Sequence, residues 1–184
     1  MSVAFKEWAI VCAALERGEQ SIILRKGGIA EGREGFRFKY GEFYLFPTLF
    51  HEQIEKTKLP PNTPIPAPES GVIRIGLFAR VEWTAQITSL EVARKLAPFH
   101  IWRDEVVEER FRYDEKNELY LAYTRIFRLS HPWTFPDEPK YGGCRSWVTL
   151  PEPPASIELL PVLDDATNRA RLNEVRRCVE TALC

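Results

Sequence analysis

Five prolines, Pro60, Pro61, Pro64, Pro66 and Pro68, fall between Leu59 and Ser70. Each fixes φ and lacks an amide proton, so this stretch is barred from a helix interior and from a central strand. It predicts an extended, semi-rigid connector. Pro151, Pro153 and Pro154 predict a second one. The chain then divides into a unit over 1–58, the connector 59–70, a unit over 71–150, and a connector with a final helix over 151–184. At 184 residues these pieces suit one compact domain.

Within the first unit, Trp8, Val11, Cys12 and Leu15 recur at helical spacing, and Gly18 would end that helix. The run Ala9-Ile10-Val11-Cys12 also suits a buried strand. Ser21 to Leu24 reads as a strand broken by Gly27-Gly28. Phe36, Phe38 and Tyr40 alternate with Arg37 and Lys39, which predicts a hairpin turning near Tyr40-Gly41-Glu42. Pro47 would end its second arm, and Thr48 would cap a short helix through Lys58.

The second unit opens with a long β-rich run, Val72 to Trp83, with Gly76 as a bulge. Thr88-Ser89-Leu90-Glu91 is a capping-box pattern opening a helix to Leu96, and Pro98 stops it. A second helix spans about Arg103 to Phe111, with its acids early, as the helix dipole prefers. Leu119 to Leu129 alternates like a strand. Pro132, Pro136 and Pro139 predict an irregular loop, and Arg145 to Leu150 a last strand. Asp164 or Asp165 would cap a final helix with Leu172, Val175, Val179 and Leu183 or Ala182 buried. The predicted fold class is α+β: a small N-terminal helix and hairpin unit packed on a β-rich, barrel-like unit with inserted helices and a C-terminal helix.

Hydrophobic residues make up 45% of the chain and the net charge is −1, so there is no global basic field of the kind that marks many nucleic-acid binders. Any such binding must come from a local patch. The best candidate combines phosphate contacts by Arg25, Lys26, Arg37 and Lys39 with base stacking by Phe38, Trp102 or Trp133. The expected partner is DNA or RNA. Core filling is the competing reading for each tryptophan, and a solvated hairpin for the cations.

Nothing calls for a cofactor or metal. Cys12, Cys144, Cys178 and Cys184 have no C-x-x-C spacing, and His51, His100 and His131 complete no zinc pattern. The expected setting is cytoplasmic, with reduced thiols, no signal peptide at Met1 to Trp8 and no membrane span. Catalytic readings are weaker. Asp137-Glu138-Pro139-Lys140 has nuclease-like letters in a proline-bound segment. Cys144 follows two glycines as a nucleophile would. A phosphoester hydrolase would use Glu42, His51 and Glu138, or the Cys144 thiol. A protein-interaction scaffold is the third reading.

Three blocks carry a resemblance. They are Ile22-Ile23-Leu24 with Arg25-Lys26-Gly27-Gly28-Ile29, Glu42-Phe43 through Leu45-Phe46-Pro47-Thr48 with His51, and Tyr141-Gly142-Gly143-Cys144 with Ser146-Trp147. With His100-Ile101-Trp102 they resemble the bacterial DUF1802 family of uncharacterised proteins, over most of the chain up to Leu150. The resemblance implies no activity. It does imply an association with a restriction-endonuclease-like protein, and hence with restriction or DNA handling. The second unit is also similar in pattern to the PUA and ASCH group of small β-barrels, which implies RNA or nucleobase binding.

Overall fold

The computed structural model describes residues 2–26, 38–49, 53–65, 69–114 and 116–181. It is α+β. Among the described residues seven strands form one mixed sheet: β1 (Ser2–Trp8), β2 (Ile22–Arg25), β3 (Glu42–Thr48), β4 (Val72–Ile87), β5 (Leu119–Pro136), β6 (Trp147–Leu150) and β7 (Leu159–Pro161). The order is β2-β5-β4-β3-β1-β6, with β7 pairing β5 beyond β2. Among the described residues β1 and β3 pair in parallel, and the other strand pairings are antiparallel. Among the described residues four α-helices accompany it: α1 (Ala9–Glu16), α2 (Leu90–Lys95), α3 (Asp104–Phe111) and α4 (Asp165–Glu180).

The ambiguous run after Trp8 resolves as helix. Seven residues of α1, Ala9 through Leu15, are buried, so it is a core helix rather than an amphipathic surface one. Gly18 follows with φ +70°, the left-handed turn that lets the chain reverse into β2. Ser89 caps α2 through the Val92 amide, and Asp164 caps α4 through the Thr167 amide at 2.8 Å.

Two irregularities shape the long β4–β5 hairpin. At the first, Gly76 faces the four-residue excursion Leu129–Pro132, because Ile75 pairs with Trp133 and Leu77 with Arg128. Ile75 and Leu77 would share a face in a regular strand. Across the bulge they fall in different cores. The larger core holds residues of all four helices with Phe5, Phe43, Leu121 and Tyr123. The smaller lies on the opposite side, around Ala4, Phe46, Ile75, Trp133, Phe135, Tyr141 and Val148.

Several expectations need correction. Residues 132–136 are strand, not loop, because β4 supplies Val72–Ile75 as a partner. Pro132 sits in the excursion and Pro136 at the strand end, where a missing amide loses no central ladder bond. Pro47 does not end β3, which continues through Thr48. Pairing of β3 with β4 extends only over Glu42–Tyr44, so at Pro47 one side of the strand has no ladder to interrupt. Of the helix expected through Lys58, the described residues hold one 3₁₀ turn at Ile54–Lys56, residues 50–52 lie outside them, and the Thr48 hydroxyl donates to the Glu7 carbonyl. Among the described residues the partners of β3 are β1 and β4. Phe38–Tyr40 is irregular, and Phe36 and Arg37 lie outside the described residues. Strands β1 and β7 were not expected.

Candidate nucleic-acid interface

The alternation of β1 places Phe5 and Glu7 on the face of the larger core. Phe5 is fully buried and organises an aromatic cluster. Its ring centroid lies 4.8 Å from Trp147, 5.6 Å from Phe43 and 5.9 Å from Phe38. The Arg25 guanidinium sits over the same ring at 4.6 Å. Tyr40 packs edge-on to Trp147 at 4.9 Å, and 41% of its surface is exposed. Lys39 is exposed beside it, and Arg145 is exposed two residues before the half-buried Trp147.

Behind this surface lies a charged cluster. Glu7 is only 3% exposed. One of its oxygens lies 3.1 Å from Arg25 Nη2, and the other accepts the Trp8 amide at 2.8 Å. Arg25 also donates to the Lys6 carbonyl at 2.6 Å. On α3, the partly buried Arg110 stacks on Trp102 at 3.8 Å and reaches Trp8 at 5.5 Å. Burial pushes its guanidinium down to about 10, with Glu7 opposing. His100 is buried nearby. Its Nδ1 accepts the Trp102 amide, so Nε2 carries the proton and has no partner among the described residues. Burial, then Lys58 and Arg110, push its pKa down to about 3.

The structure therefore brings Arg25 and Phe38 together on Phe5, with Lys39 next in the chain, whereas Trp102 is buried against Trp8 and Arg110. It does not bring in the rest. Lys26 donates to the Phe111 carbonyl at 3.0 Å and pairs with Asp114 at 2.8 Å, holding the C-terminal end of α3. Trp133 belongs to the smaller core, 5.1 Å from Tyr44 and 5.2 Å from Phe135. Trp102 and Trp133 are 2% and 4% exposed, so neither offers an open ring face. Arg37 lies outside the described residues. Sequence reasoning missed Glu7, Arg110, Tyr40 as an exposed ring and Trp147 as its partner. The alternation of Phe5, Lys6 and Glu7 was the available signal for Glu7.

The catalytic candidates are dispersed. Glu138 pairs with Lys140 at 2.6 Å, and Glu42 with Arg80 at 2.7 Å. His51 lies outside the described residues. Cys144 is exposed after Gly143, whose φ is +81°. His131 is exposed between Ser130 and Ser156, without a carboxylate contact among the described residues. No group of three His, Cys, Asp or Glu side chains among the described residues could hold a metal. On α4, Arg171 donates to Ser21 and Arg176 lies over Trp83. No helix among the described residues is long and apolar enough to cross a membrane.

The model of a family described as "Domain of unknown function (DUF1802)" matches residues 4–174. No curated protein matches the chain. Among solved structures, it is similar to ASCH from Zymomonas mobilis, with a TM-score of 0.44 and 10% identity over 94% of each chain. One single-site mutant of that protein gives a TM-score of 0.45 and 12% identity, over 82% of this chain and 91% of that one. Another gives 0.43 and 9%, over 94% of each.

Proposed function

This chain belongs to the DUF1802 family, a domain of unknown function, and from that premise we propose that it is a nucleic-acid-binding accessory module without a catalytic centre of its own. The observation that supports this reading is the Tyr40–Trp147 pair, half open to solvent and flanked by Lys39 and Arg145. Unpaired bases stack on Tyr40 and Trp147, and phosphates contact Lys39 and Arg145. Arg25 acts as a positioning residue: its charge is met by Glu7, and it holds Phe5, and through it Phe38, beneath the surface rings. Stacking needs exposed base faces, so the preferred ligand is single-stranded DNA or RNA. The module acts in the cytoplasm beside a restriction-endonuclease-like partner in DNA handling.

Fluorescence-anisotropy titration with single- and double-stranded DNA and RNA, at several salt concentrations, tests this. Single strands should bind more tightly. The log–log salt slope should shrink by about 0.7 on replacing Lys39 or Arg145 with alanine. Tyr40→Ala should weaken binding by roughly 1–3 kcal/mol with an unchanged slope. Absence of binding to any of the four at low salt would overturn the proposal.

A further inference from the structure

A separate cavity of about 520 Å³ opens between α1 and the bend of the β4–β5 hairpin. Its floor is apolar: Ala9, Cys12 and Ala13 from one face of α1, against Leu45, Leu77 and Leu129. The small residues on α1 leave the space that larger ones would fill. Four charged residues line it: Glu16, Arg128, Glu69 and Arg74. The first two satisfy each other, since Arg128 donates to the Glu16 carbonyl and lies 3.8 Å from its carboxylate. Glu69 and Arg74 are exposed, and their side chains have no hydrogen-bond or ion-pair partner among the described residues.

Gly76 also lines the cavity. It does not have a positive φ, and a Cβ there would meet nothing within 4 Å. Neither backbone conformation nor crowding requires glycine. A strand glycine costs stability, and open space at its missing side chain suits close approach by a ligand.

We infer that this groove binds a small zwitterion with a bulky apolar body, the chemistry of a free apolar amino acid or a short apolar peptide. The carboxylate meets Arg74, the ammonium meets Glu69, and the apolar body covers the floor. The opposed free charges disfavour a multiply anionic ligand, which Glu69 and Glu16 would repel. The size lies within the ordinary range for small-molecule sites.

Calorimetry on the whole chain decides it. The probes are L-leucine, L-phenylalanine and the Leu-Leu dipeptide, compared with N-acetyl-L-phenylalanine, phenethylamine and decanoate. At least one zwitterion should bind, and each comparison compound should bind about tenfold more weakly or worse, because it forfeits a charged contact. The tighter of amino acid and dipeptide identifies the source. Gly76→Leu, with an unchanged circular-dichroism spectrum, should abolish binding. Arg74→Ala, a surface change, should erase the difference between L-phenylalanine and phenethylamine. No zwitterion binding, decanoate or N-acetyl-L-phenylalanine binding equally well, or unchanged binding by Gly76→Leu would each overturn the inference. Lys39→Ala should leave this site untouched, and Gly76→Leu should leave nucleic-acid binding untouched, so the two proposals fail separately.

Discussion

Arg25 was read in the sequence as a free cation for phosphate. In the fold its nearest charge is Glu7, which could not remain almost fully buried without a cation. Replacing Arg25 with methionine should therefore cost about 3 kcal/mol or more in urea unfolding, because it strands the carboxylate. Adding Glu7→Gln should recover most of that loss, a coupling that a double-mutant cycle measures directly. His100 sets a pH dependence. Its folded pKa, about 3, lies below its ordinary 6.5. Below pH 6.5 the unfolded chain takes up a proton that the folded chain refuses. Stability from this residue is complete above pH 6.5 and should fall by up to about 1.4 kcal/mol per pH unit down to pH 3. Denaturation midpoints of wild type and His100→Asn at pH 7, 5.5 and 4.5 check it. The variant should have the flatter dependence, since asparagine can accept the Trp102 amide without titrating. Such roles were not readable at the residue scale, since a lone histidine or arginine carries no sign of what lies over it.

At the scale of elements, helices were the more legible. Their caps, breaks and spacing are local: Gly18, Ser89, Pro98 and Asp164 each act within a turn or two of their own position. The Gly76 bulge was legible for the same reason. Gly18 carries a second constraint. Its φ is +70°, and an added Cβ would lie 2.8 Å from Leu163 Cδ2. Gly18→Ala should destabilise by more than about 1 kcal/mol, whereas Gly76→Ala should be neutral or slightly stabilising. Thermal melts of the two alanine variants separate these outcomes. The docking of α4 was not legible as a partner choice. It rests in part on the buried Tyr123 hydroxyl, which donates to the Asn168 carbonyl at 2.9 Å and lies 3.0 Å from its side-chain oxygen. Tyr123→Phe should cost about 1 kcal/mol and raise hydrogen exchange along α4 more than along β5.

Across the whole molecule, the N-terminal strand has the widest reach. Although β1 begins the described chain, it lies between β3 and β6, pairing one in parallel and the other antiparallel. Deleting residues 2–8 should therefore remove an inner strand, along with Phe5 and Glu7, and abolish cooperative thermal unfolding. A retained sharp transition by circular dichroism would contradict that placement. The α+β class followed from the chain alone, because strand and helix periods, proline placement and capping residues act through local sterics and hydrogen bonds. So did the presence of aromatic rings and cations around Phe38, although not their use. Pairing joins residues far apart in sequence, so tertiary structure alone decided that β3 pairs with β1 and β4, and that Phe5 gathers Arg25, Phe38 and Trp147. It also decided which rings keep a solvent face. Burial depends on what the rest of the chain places above a side chain, and no local pattern carries that information.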